Sequence, residues 1–339
     1  HMVDSNHIRL RTKLSYGLGA LGKDFACSII YVFLMYYYTD VVGLSAAFVG
    51  TLFFVARGID AITDPWMGLV VDNTRTQYGK FRPWILIGTF INSIALVAVF
   101  SAHLLEGPYL YLYTAVTYIL WGVTYTVMDI PYWSIIPALS SSRPERELLV
   151  VWPRIFASFS WMLMGGYGLW AIGVLGDGNE GEGFLYLSLL VVVTFIASGL
   201  ITFLMVKEKV QTAAATERFT LSDVKNILTQ NDQLKVLIGA VLAFNIAIQL
   251  ISSFAIYYYT YAVGRADLYP AFALASGAAE VAGIFAFPRL CRAFPRRLMW
   301  LIACAFPILS ALVLSLTAGF SPQNAFLASI AGGLMKFGG

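Results

Sequence analysis

The chain has 339 residues, of which 59% are hydrophobic, 15% aromatic and 12% charged. Soluble domains carry about 25% charged residues, so this composition excludes a soluble enzyme and a disordered chain. A net charge of +3 is also too small for a nucleic-acid-binding surface, and what remains is an all-α membrane protein. Crossing about 30 Å of hydrocarbon takes about 20 apolar residues per helix. Stretches of that kind fall at 14–38, 47–70, 83–104, 109–138, 149–175, 184–206, 234–262, 268–288 and 297–318, and a tenth begins near Gln323. Of the 22 Lys and Arg residues, 17 lie before the first span or in the loops after spans 2, 4, 6 and 8. The positive-inside rule then puts the N-terminus in the cytoplasm. Cys27, Cys291 and Cys304 are far apart in apolar segments, so no disulfide or metal pattern is implied.

In chain order, the ionisable residues at membrane depth are Lys23 and Asp24 in span 1, Arg57, Asp60 and Asp64 in span 2, Asp129 in span 4, Arg154 in span 5 and Glu280 in span 8. Each costs about 2.5–3.5 kcal/mol or more against lipid, so they must face one another or water. Asp24 and Tyr31 are seven residues apart on span 1, a carboxylate and a phenol suited to sugar hydroxyls. Asp60 and Asp64 are one turn apart, and Arg57 shares their face. Two such carboxylates either form a hard-oxygen site for Na⁺ or Li⁺ or share a proton, while Arg57 and Asp60 also read as a plain buried ion pair. Tyr125, Thr126, Asp129 and Trp133 make one stripe on span 4. A carboxylate, a hydroxyl and two aromatics suit a sugar; the alternative for the two rings is core packing. Arg154 either donates to sugar hydroxyls or holds Asp24 and Asp129 in place. The basic loop Gly68–Pro83 resembles the signature between helices 2 and 3 of major facilitators, which implies a conformational latch at Asp72; the loop Arg143–Glu147, with Arg146, is a second candidate and reads equally as an ordinary solvated one. Glu280 is open between a protonated core residue and a cavity wall.

The hydrophilic stretch 207–233 separates residues 8–206 from 234–339. Tyr36–Gly43 at the end of span 1 recurs as Tyr257–Gly264 at the end of span 7, an offset of 221 residues. The same offset carries one basic loop close to another. Either two parallel halves are duplicated, or similar aromatic belts stand at equivalent interfaces. Two halves at that offset need at least about 442 residues, so the chain is expected to end inside the second.

Lys13–Gly17 with Gly22–Ala26, the run Tyr36–Gly43, Arg57 with Asp60 and Asp64, Tyr78–Pro83, and Tyr125-Thr126 with Asp129-Ile130-Pro131 resemble the bacterial glycoside–pentoside–hexuronide:cation symporters of the major facilitator superfamily. The resemblance covers essentially the whole chain. It implies the major facilitator fold of two six-helix bundles, with the C-terminal bundle incomplete here, about 9–10 of 12 helices being present. It implies a transporter rather than an enzyme, taking melibiose and related galactosides with Na⁺, Li⁺ or H⁺ by alternating access. Within it, Asp60 and Asp64 look like the Na⁺ carboxylates and Thr126 a further cation contributor. Asp24, Asp129 and Arg154 look like sugar ligands, Trp133 the stacking platform with Tyr31 and Tyr125 nearby, and Arg57 a charge-balancing residue. Glu280 departs from the uncharged polar residue expected there, and the family's ligands from helices 10 and 11 have no positions to occupy. The expected setting is the bacterial inner membrane, as a monomer with a galactoside and a monovalent cation as partners, no resident cofactor and no nucleic acid. Alternatives are a pentoside or glucuronide substrate, or a transport-inactive sugar receptor. Paired catalytic aspartates of an intramembrane protease sit on separate helices, whereas Asp60 and Asp64 share one.

Overall fold

The computed structural model describes residues 8–208 and 229–320, with Ser222 and Ile330. The tenth span expected from Gln323 lies outside the described residues, apart from Ile330. Among the described residues the long helices are α1 (Leu10–Tyr36), α2 (Ala46–Asp72), α3 (Arg82–Val99), α4 (Tyr109–Ser134), α5 (Arg143–Gly176), α6 (Glu180–Met205), α7 (Asp232–Tyr257), α8 (Leu268–Ala293) and α9 (Arg296–Phe320). Six helical segments, Leu10–Val41, Ala46–Asp72, Arg82–Val99, Glu145–Gly176, Glu180–Met205 and Leu268–Ala286, are long and apolar enough to cross a bilayer. Each observed helix overlaps one expected span. The clearest shift is α5, which begins at Arg143 rather than near 149. A proline in its first turn suits a helix start, and Glu145 is buried there rather than solvated.

The described residues divide into two compact units: those within His1–Cys27, Leu34–Phe156 and Ala171–Lys225, and those within Ser28–Phe33, Ala157–Trp170 and Asn226–Gly339. The second unit therefore takes in short stretches of α1 and α5 that precede the hydrophilic segment in sequence.

In the first unit, small residues let helices meet backbone to backbone, the usual packing where lipid gives no hydrophobic drive between helices. A Cβ on Gly88 of α3 would lie 2.6 Å from the Met128 backbone nitrogen of α4, and one on Gly22 of α1 would lie 2.8 Å from Phe195 Cα of α6. Tyr16 and Tyr132 bind α1 to α4 reciprocally. Each hydroxyl donates to the other residue's carbonyl, at 2.6 and 2.5 Å, and the rings stack at 4.6 Å.

The tyrosine repeat is a structural repeat as well. α1 runs into a π-helical turn at Tyr37–Val41 and α7 into one at Tyr258–Ala262, again 221 residues on. In each, the N–H of the residue after the turn donates to the carbonyl of its first residue, Val42 to Tyr37 and Val263 to Tyr258. Each turn is followed by a glycine in the left-handed region, Gly43 at φ 86° and Gly264 at φ 73°, where a side chain is strained. The same local solution has been used twice.

Candidate functional site

The first cluster forms where α1 faces α4. Lys23, only 4% exposed, places Nζ 2.8 Å from Asp129 Oδ1 and 3.3 Å from Asp24 Oδ2. It also donates to the Tyr125 hydroxyl at 3.4 Å. The rings of Tyr125, Tyr132 and Trp133 surround the ammonium at 5.8, 5.4 and 5.2 Å from their centroids, within cation–π range. The Tyr16–Tyr132 clasp sets the register that brings Lys23 and Asp24 opposite Asp129. Asp24, Tyr125, Asp129 and Trp133 are thus gathered about one buried cation, which the sequence marks only as one of the ionisable residues at membrane depth. Its signal was readable: the cation next to Asp24 had to find carboxylates and aromatics at its own depth.

The second cluster lies between α2 and α4. Thr126 Oγ1 donates to Asp64 Oδ1 at 2.8 Å, while Arg57 pairs with Asp60 at 2.9 Å and reaches the Tyr118 hydroxyl at 3.4 Å. Gly122 leaves room for this approach, since a Cβ there would stand 3.2 Å from Asp60 Oδ1. Among the described residues, no basic group lies within 4 Å of Asp64. Two carboxylates and a hydroxyl, with one guanidinium to balance them, are hard oxygen donors that suit an alkali cation or a shared proton. No group of three His, Cys, Asp or Glu side chains converges among the described residues, so the donor set is not of the transition-metal kind.

α4 belongs to both clusters. Thr126 points to α2, while Asp129, three residues on, points to α1. Proline stands beside the ionisable groups on each bearing helix: Pro65 follows Asp64, Pro131 lies two past Asp129 and Pro153 precedes Arg154. Each lacks the N–H that would donate to the carbonyl four residues back. Arg154 is exposed on α5. Tyr31 belongs to the second unit and stacks on Trp161 at 6.1 Å. Glu280 is half-buried on α8.

At the basic ends, Asp72 pairs with Lys80 at 2.7 Å. Arg146 has no carboxylate within 4 Å among the described residues. Its neighbour Glu145 instead pairs with Lys13 at 2.9 Å and accepts the Ile8 N–H at 3.2 Å, an interaction invisible at the level of single helices.

Long apolar helices, helix-breaking prolines and compensated charges at membrane depth define a polytopic helical membrane protein. Residues 15–337 match the model of the MFS/sugar transport protein family, and the chain belongs to that family. It is 33% identical to the inner membrane symporter YicJ of Escherichia coli over 80% of this chain and 58% of that one. It is 29% identical to the putative glycoside/cation symporter YagG of the same organism over 90% and 66%. It is also 29% identical to the isoprimeverose transporter of Lactiplantibacillus pentosus over 79% and 56%. The chain therefore spans 56–66% of the length of these relatives. Among solved structures, a D-xylose-proton symporter superposes with a TM-score of 0.65 at 14% identity, covering 97% of this chain and 80% of that one. A bacterial homologue of the human lysosomal transporter Spinster gives 0.60 at 18%, covering 97% and 72%. The fold is the major facilitator fold.

Proposed function

We propose that the protein is a cation-coupled sugar symporter, binding Na⁺, Li⁺ or H⁺ at Asp60, Asp64 and Thr126 and a sugar against Asp24, Tyr125, Asp129 and Trp133. The observation that carries this reading is a pair of clusters that share α4, one whose two carboxylates both contact a lysine and one whose arginine pairs with Asp60 while Asp64 is held by the Thr126 hydroxyl. About Lys23 both carboxylates already lie within 3.3 Å of the ammonium, so a neutral ligand rich in hydroxyls can exchange for these internal contacts without bringing charge of its own. At α2, two carboxylates face one arginine, and a monovalent cation or a proton completes the balance. A cation drawn between Asp64 and Thr126 tightens α2 on α4 and so presents Asp129 and Trp133 three and seven residues along the same helix. By linkage, each ligand raises the affinity of the other by the same factor.

In this reading Lys23 is a third polar partner at the sugar site, Arg57 balances charge, Arg154 completes the sugar shell, and Asp72 and Arg146 belong to the latch that biases alternating access. Residues 8–206 form the half that carries the cation site and 234–339 part of the other, with 207–233 between them. The N-terminus is cytoplasmic, the working unit is a monomer, and the membrane is the bacterial inner membrane. The relatives' names support a glycoside substrate. We assign melibiose and related galactosides, with a pentoside or glucuronide as the second reading, which the isoprimeverose transporter favours.

The decisive experiment is equilibrium binding of a fluorescent galactoside with and without Na⁺, in competition with α-galactosides, β-galactosides, a xyloside and a glucuronide. Na⁺-stimulated binding displaced by α-galactosides, and abolished by Asp64→Cys, is the expected result. Full Na⁺ stimulation in Asp64→Cys overturns the cation site, and displacement by xyloside or glucuronide alone overturns the galactoside assignment.

A further inference from the structure

The turn between α2 and α3 is fastened to the end of α6 by a carboxylate that no reading above uses. Helix α3 starts with its first N–H groups unpaired by the helix itself and with the positive end of its dipole facing out. Glu208, three residues past the end of α6, fills that position. Its Oε2 accepts the Lys80 N–H at 2.9 Å, and its Oε1 accepts those of Phe81 and Arg82 at 2.8 and 3.3 Å. Gly79 makes this possible: it sits at φ 109°, and a Cβ there would lie 2.5 Å from the same carboxylate. The fastening is doubled by Arg82, whose Nε and Nη2 both donate to the Phe203 carbonyl of α6, the first at 2.9 Å. Lys80, meanwhile, ties the turn back to Asp72 at the end of α2.

We propose that Glu208 is a positioning residue for transport. It makes the ends of α2, α3 and α6 one rigid piece, so that a displacement of α2 is handed to the chain leading into the second half. This inference rests on the symport reading above. Asp64 lies eight residues from Asp72 on α2, about 12 Å along a helix, and the next residues after Glu208 begin the segment that joins the halves. A carboxylate that merely capped α3 could come from α3's own N-cap, as in most helices. This one comes from the residue that leaves the first six helices, which is where a mechanical link is needed.

The test uses Glu208→Ala, Glu208→Gln and Gly79→Ala in membrane vesicles, the last displacing the carboxylate sterically without removing it. Two quantities are read for each: equilibrium galactoside binding with and without Na⁺, and the rate of labelled-sugar counterflow. Expected are binding and Na⁺ stimulation within about twofold of the parent and counterflow slowed about tenfold or more in Glu208→Ala and Gly79→Ala. That is the size of effect set by losing hydrogen bonds to a charged group. Glu208→Gln, which keeps one acceptor oxygen, falls between. Unchanged counterflow in both severe variants overturns the proposal. So does a parallel fall in binding and counterflow, which marks a purely structural cap. A parent protein whose sugar binding is stimulated by none of Na⁺, Li⁺ and H⁺ overturns the symport reading and this inference with it, a result distinct from a competent parent with indifferent variants.

Discussion

Lys23 shows how a single residue settles the character of a site. A lysine almost wholly removed from solvent is tolerable only because two carboxylates and three aromatic faces replace its water. Removing it as Lys23→Met takes from Asp24 and Asp129 the ammonium that both contact. Breaking a buried pair this way costs about 3–5 kcal/mol, so a lower melting temperature in detergent and loss of galactoside binding are expected. Unchanged melting and binding would show that the ammonium is dispensable. Thr126 is read the other way, through the cation. Its hydroxyl supports one oxygen of Asp64, and a hydrogen bond to a charged group is worth about 1.5–3 kcal/mol. Thr126→Ala is expected to weaken Na⁺ about tenfold or more in titrations of sugar binding, with Thr126→Ser near the parent; equal Na⁺ affinities in all three would remove Thr126 from the site. Both side chains lie on helices whose stripes were legible in the sequence. Spacing showed that Arg57, Asp60 and Asp64 share a face. It could not show that neighbouring Tyr125 and Thr126 turn to different helices, because that depends on which helix packs on either side of α4.

The helices themselves were the most legible level, because apolar length is dictated by the bilayer. Their ends were less so. α5 runs 34 residues from Arg143, into a stretch whose charges looked like a loop, since the sequence does not reveal that Lys13 waits for Glu145. That pair is 11% and 7% exposed at its side chains, and Glu145→Gln strands Lys13. A loss of roughly 3 kcal/mol, seen as a lower melting temperature with the Na⁺ stimulation factor retained, is expected; an unaltered melt would mean that water already reaches Lys13. Gly88 tests the same level from the packing side. A Cβ there would lie 2.6 Å from the Met128 backbone nitrogen, between Thr126 and Asp129 on α4. Gly88→Leu overpacks the contact, which costs about 1–3 kcal/mol, and it pushes α4 from α3. Weakening of sugar and Na⁺ together is expected in the same binding titration, in contrast to the selective effect of Thr126→Ala.

On the scale of the molecule, the repeat and the charges follow different rules. The π turn and its left-handed glycine recur 221 residues apart, whereas seven of the eight ionisable residues at membrane depth lie on α1, α2, α4 and α5. Glu280 on α8 is the exception. If coupling resides in the shared helix α4, the factor by which Na⁺ raises sugar affinity depends on residues of the first half and must equal the factor by which sugar raises Na⁺ affinity. Glu280 then adds to sugar binding or turnover without entering that factor. Glu280→Gln is expected to leave the Na⁺ stimulation of galactoside binding unchanged even where the sugar's own affinity shifts, while Asp60→Asn and Asp64→Asn bring the factor to about one. The measurement is a grid of sugar titrations at several Na⁺ concentrations, from which both factors are read independently. A coupling factor that collapses in Glu280→Gln would move part of the cation machinery into the second half, and the two-cluster account of α4 would fail with it.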